Sequence, residues 1–177
     1  MLTEPLLNTL DVRKKAVRGV TVSGALKPLD LPRFRTLLAD DTGAIQAVLM
    51  LDRDEENRCL IGTQIDAQVT VVCQRCLEPM PTTLHTENTV VVVWTDEQAQ
   101  HLPKHLDALI VAEEACNLWE LVEDELILSM PIYSYHEAED CNKILSGLSA
   151  EAPAIEGAED KPNPFNVLAQ LKPGNKH

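Results

Sequence analysis

The sequence predicts an α+β fold: an antiparallel β-sheet packed with a few helices, then a flexible acidic linker and a short C-terminal helix. Three observations carry that expectation. Residues 64 to 73 alternate with a period of two, placing Ile65, Ala67, Val69, Val71 and Cys73 on one face of a half-buried strand. Residues 115 to 130 (ACNLWELVEDELILSM) repeat apolar side chains at helical spacing, with Leu118, Val122 and Leu126 on one line. Residues 142 to 163 mix Gly, Ala, Glu and Pro with no period, the mark of a linker.

Taken in order, residues 2 to 12 are an apolar-polar lead-in. Residues 16 to 26 (AVRGVTVSGAL) read as a strand, rich in β-branched side chains and stopped by Pro28. Residues 31 to 39 read as a short helix, with Asp30 as its N-cap and Pro32 in the first turn, where the missing N–H costs little. Asp40 to Gly43 is a turn, residues 44 to 51 a strand, 52 to 57 a charged turn and 58 to 61 a short strand. The strand at 64 to 73 leads into a two-proline turn at 74 to 81, and then into a long strand at 82 to 95 (TTLHTENTVVVVWT). A short helix is expected at 96 to 101 and an edge strand at 108 to 111. Pro131 ends the helix of 115 to 130, and residues 164 to 171 (PFNVLAQL) form a short amphipathic helix. The domain organisation is thus a single α+β domain over 1 to 141, a linker over 142 to 163 and a helical tail over 164 to 177.

A chain of 177 residues and 19.6 kDa buries a real core without staples. Its net charge of -13 and 3% aromatic content argue against a generally basic, base-stacking nucleic-acid binder. No apolar run reaches the roughly 18 residues of a membrane span, and the first residues lack the order of a signal peptide, so a cytoplasmic protein is expected. The five cysteines, 59, 73, 76, 116 and 141, are odd in number and unevenly spaced, a poor disulfide framework.

Charge is unevenly distributed. Residues 1 to 35 carry seven basic and three acidic side chains, net +4, whereas residues 96 to 160 carry sixteen acids against Lys104 and Lys143, net -14. The basic segment suits phosphate, and the acidic part suits a basic protein. Each also reads as an ordinary solvated face.

Chemistry centres on Cys73-Gln-Arg-Cys76. A tight turn brings two such sulfurs within reach of one tetrahedral zinc, and His136 and Cys141, in the loop HEAEDC, are the candidates for the other two ligands. The alternatives are a pair of ordinary thiols or a redox pair. The last needs a cysteine at a helix N-terminus, whereas Cys73 closes a strand. The acids of the 115–130 helix, Glu120, Glu123, Asp124 and Glu125, lie mostly off its apolar face and read as a solvated or docking surface. No P-loop, GxGxxG, GxSxG or HExxH occurs, and no convergent carboxylate set suggests a metal-dependent nuclease. Nothing in the sequence requires an enzyme. Trp94 and Trp119 are expected in the core.

Three blocks in order, VTVVCQRCLEPM, WELVEDELILSMPIYSYH and KPNPFNVLAQLK, resemble the YceD family of large ribosomal RNA subunit accumulation proteins. DVRKKAVRGVTVSG matches more loosely, so the resemblance runs from about Asp11 to Lys172. It implies a cytoplasmic bacterial protein concerned with synthesis, processing or stability of 23S ribosomal RNA, with no catalytic activity in the family's description. Its signature positions fall on Cys73, Gln74, Arg75 and Cys76, on Glu123, Asp124, Glu125 and Pro131, and on Pro162, Asn163, Pro164 and Phe165. Some relatives carry more cysteine after the acidic helix, where this chain has His136 and Cys141.

The expectation is therefore a ribosome-biogenesis factor without catalytic residues. Arg13, Lys14, Lys15, Arg18 and Arg75 are its candidate RNA-phosphate contacts, and Glu120, Glu123, Asp124 and Glu125 its candidate docking residues for a basic ribosomal protein or assembly factor. Partners are large-subunit RNA or a pre-ribosomal particle, with no membrane and no DNA. The sequence fixes no cofactor, and a structural zinc on Cys73, Cys76, His136 and Cys141 is the candidate. The competing reading is a zinc or redox CxxC protein with an indirect effect on ribosomal RNA.

Overall fold

A computed structural model describes residues 4–111, 115–137, 139 and 141. The expected linker and C-terminal helix, with Pro162 to Phe165, lie outside these residues. The α+β class holds. A five-stranded sheet runs in the order β2 (Val20–Leu26), β3 (Gly43–Arg53), β4 (Cys59–Val72), β5 (Pro79–Val93) and β6 (Asp107–Ile110). β2 to β5 form an antiparallel meander, with Val20 opposite Leu51, Gly43 opposite Val69 and Cys59 opposite Val92.

The long strands exceed their sequence-based bounds for physical reasons. The two segments expected on either side of Gly62 and Thr63 are one strand, β4, because β3 and β5 pair with it on both sides through those residues. Thr63, although polar, is buried and donates its hydroxyl to Asn88 O at 3.3 Å. Pro79 and Pro81, expected in a turn, begin β5. β6 pairs only with Val90 to Val93, so the proline end of β5 has a free edge where a missing N–H costs no ladder bond. β6 is the expected edge strand but runs parallel to β5, which makes the sheet mixed: α3 (Asp96–Gln100) carries the chain back before it re-enters.

One face of the sheet is the core. Cys59, Ile61, Ile65, Ala67, Val69 and Val71 of β4 point into it with Ile45, Leu49 and Leu51 of β3. α4 (Leu118–Ser129) and α2 (Pro32–Arg35) cover that face, contributing Leu118, Val122, Leu126 and Phe34. Asn117 caps α4, accepting from the N–H groups of Trp119 and Glu120. Trp94 and Trp119 pack against the core while half-buried, and the Trp119 indole donates to Leu6 O at 3.0 Å.

The chain before β2 is more ordered than expected. Thr9–Leu10 (β1) pairs with Cys116–Asn117 (β7), and residues 12 to 16, expected as lead-in and strand, form a helix, α1 (Val12–Ala16). Asp11 caps it by accepting from Lys14 N at 3.1 Å, and its i, i+4 pair Val12 and Ala16 is buried. Residues 4 to 6 cross Gly24 so closely that a Cβ there would sit 2.4 Å from the Leu6 backbone, which reserves the position for glycine.

Candidate functional site

The tip of the β4–β5 hairpin and the segment after α4 meet at a cluster of sulfur and imidazole. β4 delivers Cys73 to the turn. There Leu77 N donates to Cys73 O and Cys73 N to Glu78 O, both at 2.9 Å, with Leu77 in the left-handed region at φ 63°. That fold-back turns Cys76 toward Cys73. Gln74 N donates to Ser134 O at 2.9 Å, stitching the turn to the segment that carries His136.

The four candidate ligands are assembled as the sequence spacing suggested. Cys73 Sγ lies 3.6 Å from Cys141 Sγ, Cys141 Sγ lies 3.8 Å from Cys76 Sγ, and Cys76 Sγ lies 3.3 Å from His136 Nδ1. All four donor atoms fall within 4.8 Å of one another, and the three cysteines are buried. Ligands at the usual zinc–sulfur and zinc–nitrogen lengths around a tetrahedral ion stand about 3.3 to 3.8 Å apart, so this arrangement fits a metal ion. The sulfur separations are far beyond a disulfide bond, and all five cysteines are free.

The surroundings prepare these atoms for a cation. His136 Nε2 donates to Pro79 O at 3.2 Å, which fixes the tautomer and leaves the Nδ1 lone pair facing the sulfurs. Burial pushes the Cys73 thiol up, but the N–H groups of Cys76, His136 and Arg75 outweigh it and hold the thiol down at about 5. Burial, then the neighbouring thiols of Cys73 and Cys76, push Cys141 up to about 11. No helix follows Cys73: the turn runs directly into β5, so the feature that activates a thioredoxin-type cysteine is missing at this position.

The acidic helix differs from its sequence reading. Glu123 and Glu125 are buried, whereas Glu120 and Asp124 are exposed. Glu123 Oε1 accepts from Arg33 N at 2.6 Å and Phe34 N at 3.0 Å, and its Oε2 accepts from Arg33 Nε at 2.8 Å. It therefore caps α2 from across the fold, the role expected of Asp30, which instead closes the turn before α2 by accepting from Lys27 N. Glu123, then Asp124, raise the Arg33 guanidinium further above its ordinary range. Glu125 accepts from Asn88 Nδ2 at 2.9 Å, tying α4 to β5. A docking face of all four acids is thus corrected: two are committed to internal donors, and Asp124 shares Arg33 at 2.8 Å. Helical spacing alone missed this, because α4 lies under α2 on one side and against the sheet on the other.

The basic candidates divide between the two ends of the sheet. Arg13, Lys14 and Lys15 lie on α1 with Arg18 just beyond, and all but Lys15 are exposed. Lys14 pairs with Asp11 at 2.7 Å. Arg13 lies 3.8 Å from the centre of the Trp94 ring. Arg75 is on the hairpin tip, 5.1 Å from the Tyr135 ring, which stacks with Tyr133. Val12 O receives the Cys59 thiol at the other end of β4, so roughly 40 Å of strand separates Arg75 from α1. The five do not make one surface. Arg53 and Arg58, which the sequence reading passed over, join Arg13 beside Trp94, a convergence with no signature in local spacing.

Among the described residues, no helix is long and apolar enough to cross a membrane. The family model for the large ribosomal RNA subunit accumulation protein YceD matches residues 61–172. The chain is also similar to the large ribosomal RNA subunit accumulation protein YceD of Haemophilus influenzae, 31% identical over 169 residues, covering 93% of this chain and 94% of that protein. No solved structure matches.

Proposed function

The chain belongs to the YceD family, and on that premise we propose that it is a cytoplasmic ribosome-biogenesis factor that supports accumulation of large-subunit (23S) ribosomal RNA by binding rather than by catalysis. The likeness to the Haemophilus influenzae accumulation protein over nearly the whole of both chains carries this reading. The charge pattern supports a division of labour. The exposed Arg13 and Arg18, with Lys14 and Lys15, face RNA phosphate, and Arg75 offers a separate contact from the tip. Glu120 and Asp124, the two acids of α4 left on the surface, suit a basic ribosomal protein or assembly factor.

The test is co-sedimentation of the protein with large-subunit precursor particles at low and moderate salt. Presence on those particles is expected, declining with salt as phosphate contacts are screened. Absence at both salts overturns the reading.

Cys73, Cys76, His136 and Cys141 would hold a zinc ion in this scheme. Four protein ligands leave no open position for water or substrate, so the metal's contribution is structural: it pins the hairpin tip, with Arg75, to the segment after α4. A zinc or redox protein acting only indirectly on ribosomal RNA is the second reading, motivated by the same four residues. It predicts that loss of the cluster leaves particle association intact.

A further inference from the structure

Opposite the sulfur cluster, the other end of the long hairpin holds an open cavity of about 710 Å³. Volumes of this order suit a small ligand. The last residues of β5, Val91 to Val93, form its apolar floor with Trp94, and Arg13, Arg53, Arg58 and His101 stand around it. The single carboxylate among its lining residues, Glu56, pairs with Arg58 at 3.0 Å, and Asp54 holds the same guanidinium at 2.6 Å. The Arg53 guanidinium bonds a neutral side-chain partner, Asn57 Oδ1, at 2.6 Å, and the Arg13 guanidinium carbon lies over the Trp94 indole, 3.8 Å from its centre. Neither has an ion-pair partner among the described residues. Their charges also act on Cys59 in the wall, where they oppose the upward push of burial on its thiol.

A cationic cavity is unexpected on a chain of net charge -13. Its components have complementary chemistry. The Arg13 side chain is exposed and backed by Trp94, and bases stack on guanidinium planes and on aromatic rings alike. Arg53 supplies a fork for phosphate. We propose that this cavity binds a nucleotide of single-stranded RNA, its base stacked on the Arg13–Trp94 pair and its phosphate on Arg53. The inference deepens the ribosomal reading and rests on it, because it names the surface through which RNA is touched.

The test is titration of the full chain, read by tryptophan fluorescence and by anisotropy of a labelled ligand. The probes are an eight-nucleotide single-stranded RNA of mixed sequence, AMP and inorganic phosphate. The octamer is expected to saturate and to bind more tightly than AMP, with phosphate weakest. Arg53→Glu and Arg13→Ala should each weaken it about tenfold, the size of a lost stacking or phosphate contact. Lys27→Glu, at the opposite end of β2, makes the same charge change as Arg53→Glu and should alter affinity less than twofold. Trp94→Phe should remove most of the fluorescence response while anisotropy still reports binding. Three results overturn the proposal: no saturable octamer binding, equal weakening by Arg53→Glu and Lys27→Glu, or AMP binding as tightly as the octamer. If the octamer fails while the protein still travels with precursor particles, the cavity assignment falls and the ribosomal role stands.

Discussion

Two buried polar clusters tie distant parts of this chain together, and they are completed differently. Around Glu123, both carboxylate oxygens are met by N–H groups of Arg33 and Phe34, so the cluster closes with donors the chain itself supplies. Around Cys73, Cys76, His136 and Cys141, four electron-pair donors converge, and the backbone N–H groups that serve them, His136 at 3.4 Å with those of Cys76 and Arg75, gather on Cys73 Sγ. Buried acceptors are stable when matched by donors or by a cation. The first cluster is finished by folding. The second has the donor set that an ion would finish, and the stability of that end of the molecule would then depend on the medium.

The largest expected effect breaks the comparison outright. Native mass spectrometry of the full chain should find one zinc per chain, and Cys76→Ser or Cys141→Ser should abolish it. Chelation should lower the Tm by roughly 10 °C, the loss expected when a ligand held a thousandfold above its Kd is withdrawn. A metal-free chain whose Tm ignores the chelator would make the two clusters alike. Glu123→Ala is next. It leaves two N–H groups at the start of α2 unmatched, that of Phe34 buried and that of Arg33 partly so, and should cost about 3 kcal/mol in urea unfolding. That loss should be the same with and without chelator, and dependence on metal would show that the clusters are not independent.

Asn117→Ala sharpens the distinction between distant and local capping. α4 carries its own cap, one side chain serving two adjacent N–H groups, and losing it should cost about 1 kcal/mol, less than losing the distant cap of α2. The smallest effect is on the surface. His85 Nδ1 lies 2.7 Å from Asp66, which raises the imidazole above its ordinary value of 6.5, with Glu87 adding to the shift. The charged pair stabilises the fold fully below pH 6.5, and the contribution fades as pH rises through the higher folded value. His85→Gln should remove that slope from the unfolding midpoint measured between pH 5.5 and 8. Both partners are exposed, so the change should be small.

How much of this was legible in the sequence follows from the range of the forces involved. The strands at 44–51 and 64–73 and the helix at 115–130 were legible because a period of two or of 3.6 is a local record of which face is buried. The parallel return of β6 was not, since four residues fix no strand direction. α1 left a signal in Asp11 ahead of a buried i, i+4 pair, but five residues are too few for periodicity to declare a helix. The clustering of Cys73, Cys76, His136 and Cys141 was legible as a chemical inventory, because that mix of thiols and imidazole is what a metal site would draw on. Glu123 was misread for the converse reason: a carboxylate on a helix is ordinarily solvated, and only the tertiary approach of Arg33 and Phe34 turns it inward. The cavity beside Trp94 draws on α1, a hairpin turn and the end of β5, and no window of sequence contains all three.

Fifty-nine residues intervene between the two ligand pairs of the sulfur cluster, from Cys76 to His136. During synthesis the hairpin tip emerges as half a chelate and stays so while β5, β6 and α4 are made. An ion captured by all four ligands thereafter closes a covalent-like loop around most of the second half of the fold. In the chain-entropy treatment of cross-links, restricting an unfolded loop of this length is worth about 4 kcal/mol. Because the site exists only once folding has brought the two pairs together, that closing cost would fall on metal binding itself, and capture of the ion and completion of the fold from the hairpin tip to the end of α4 would be one event.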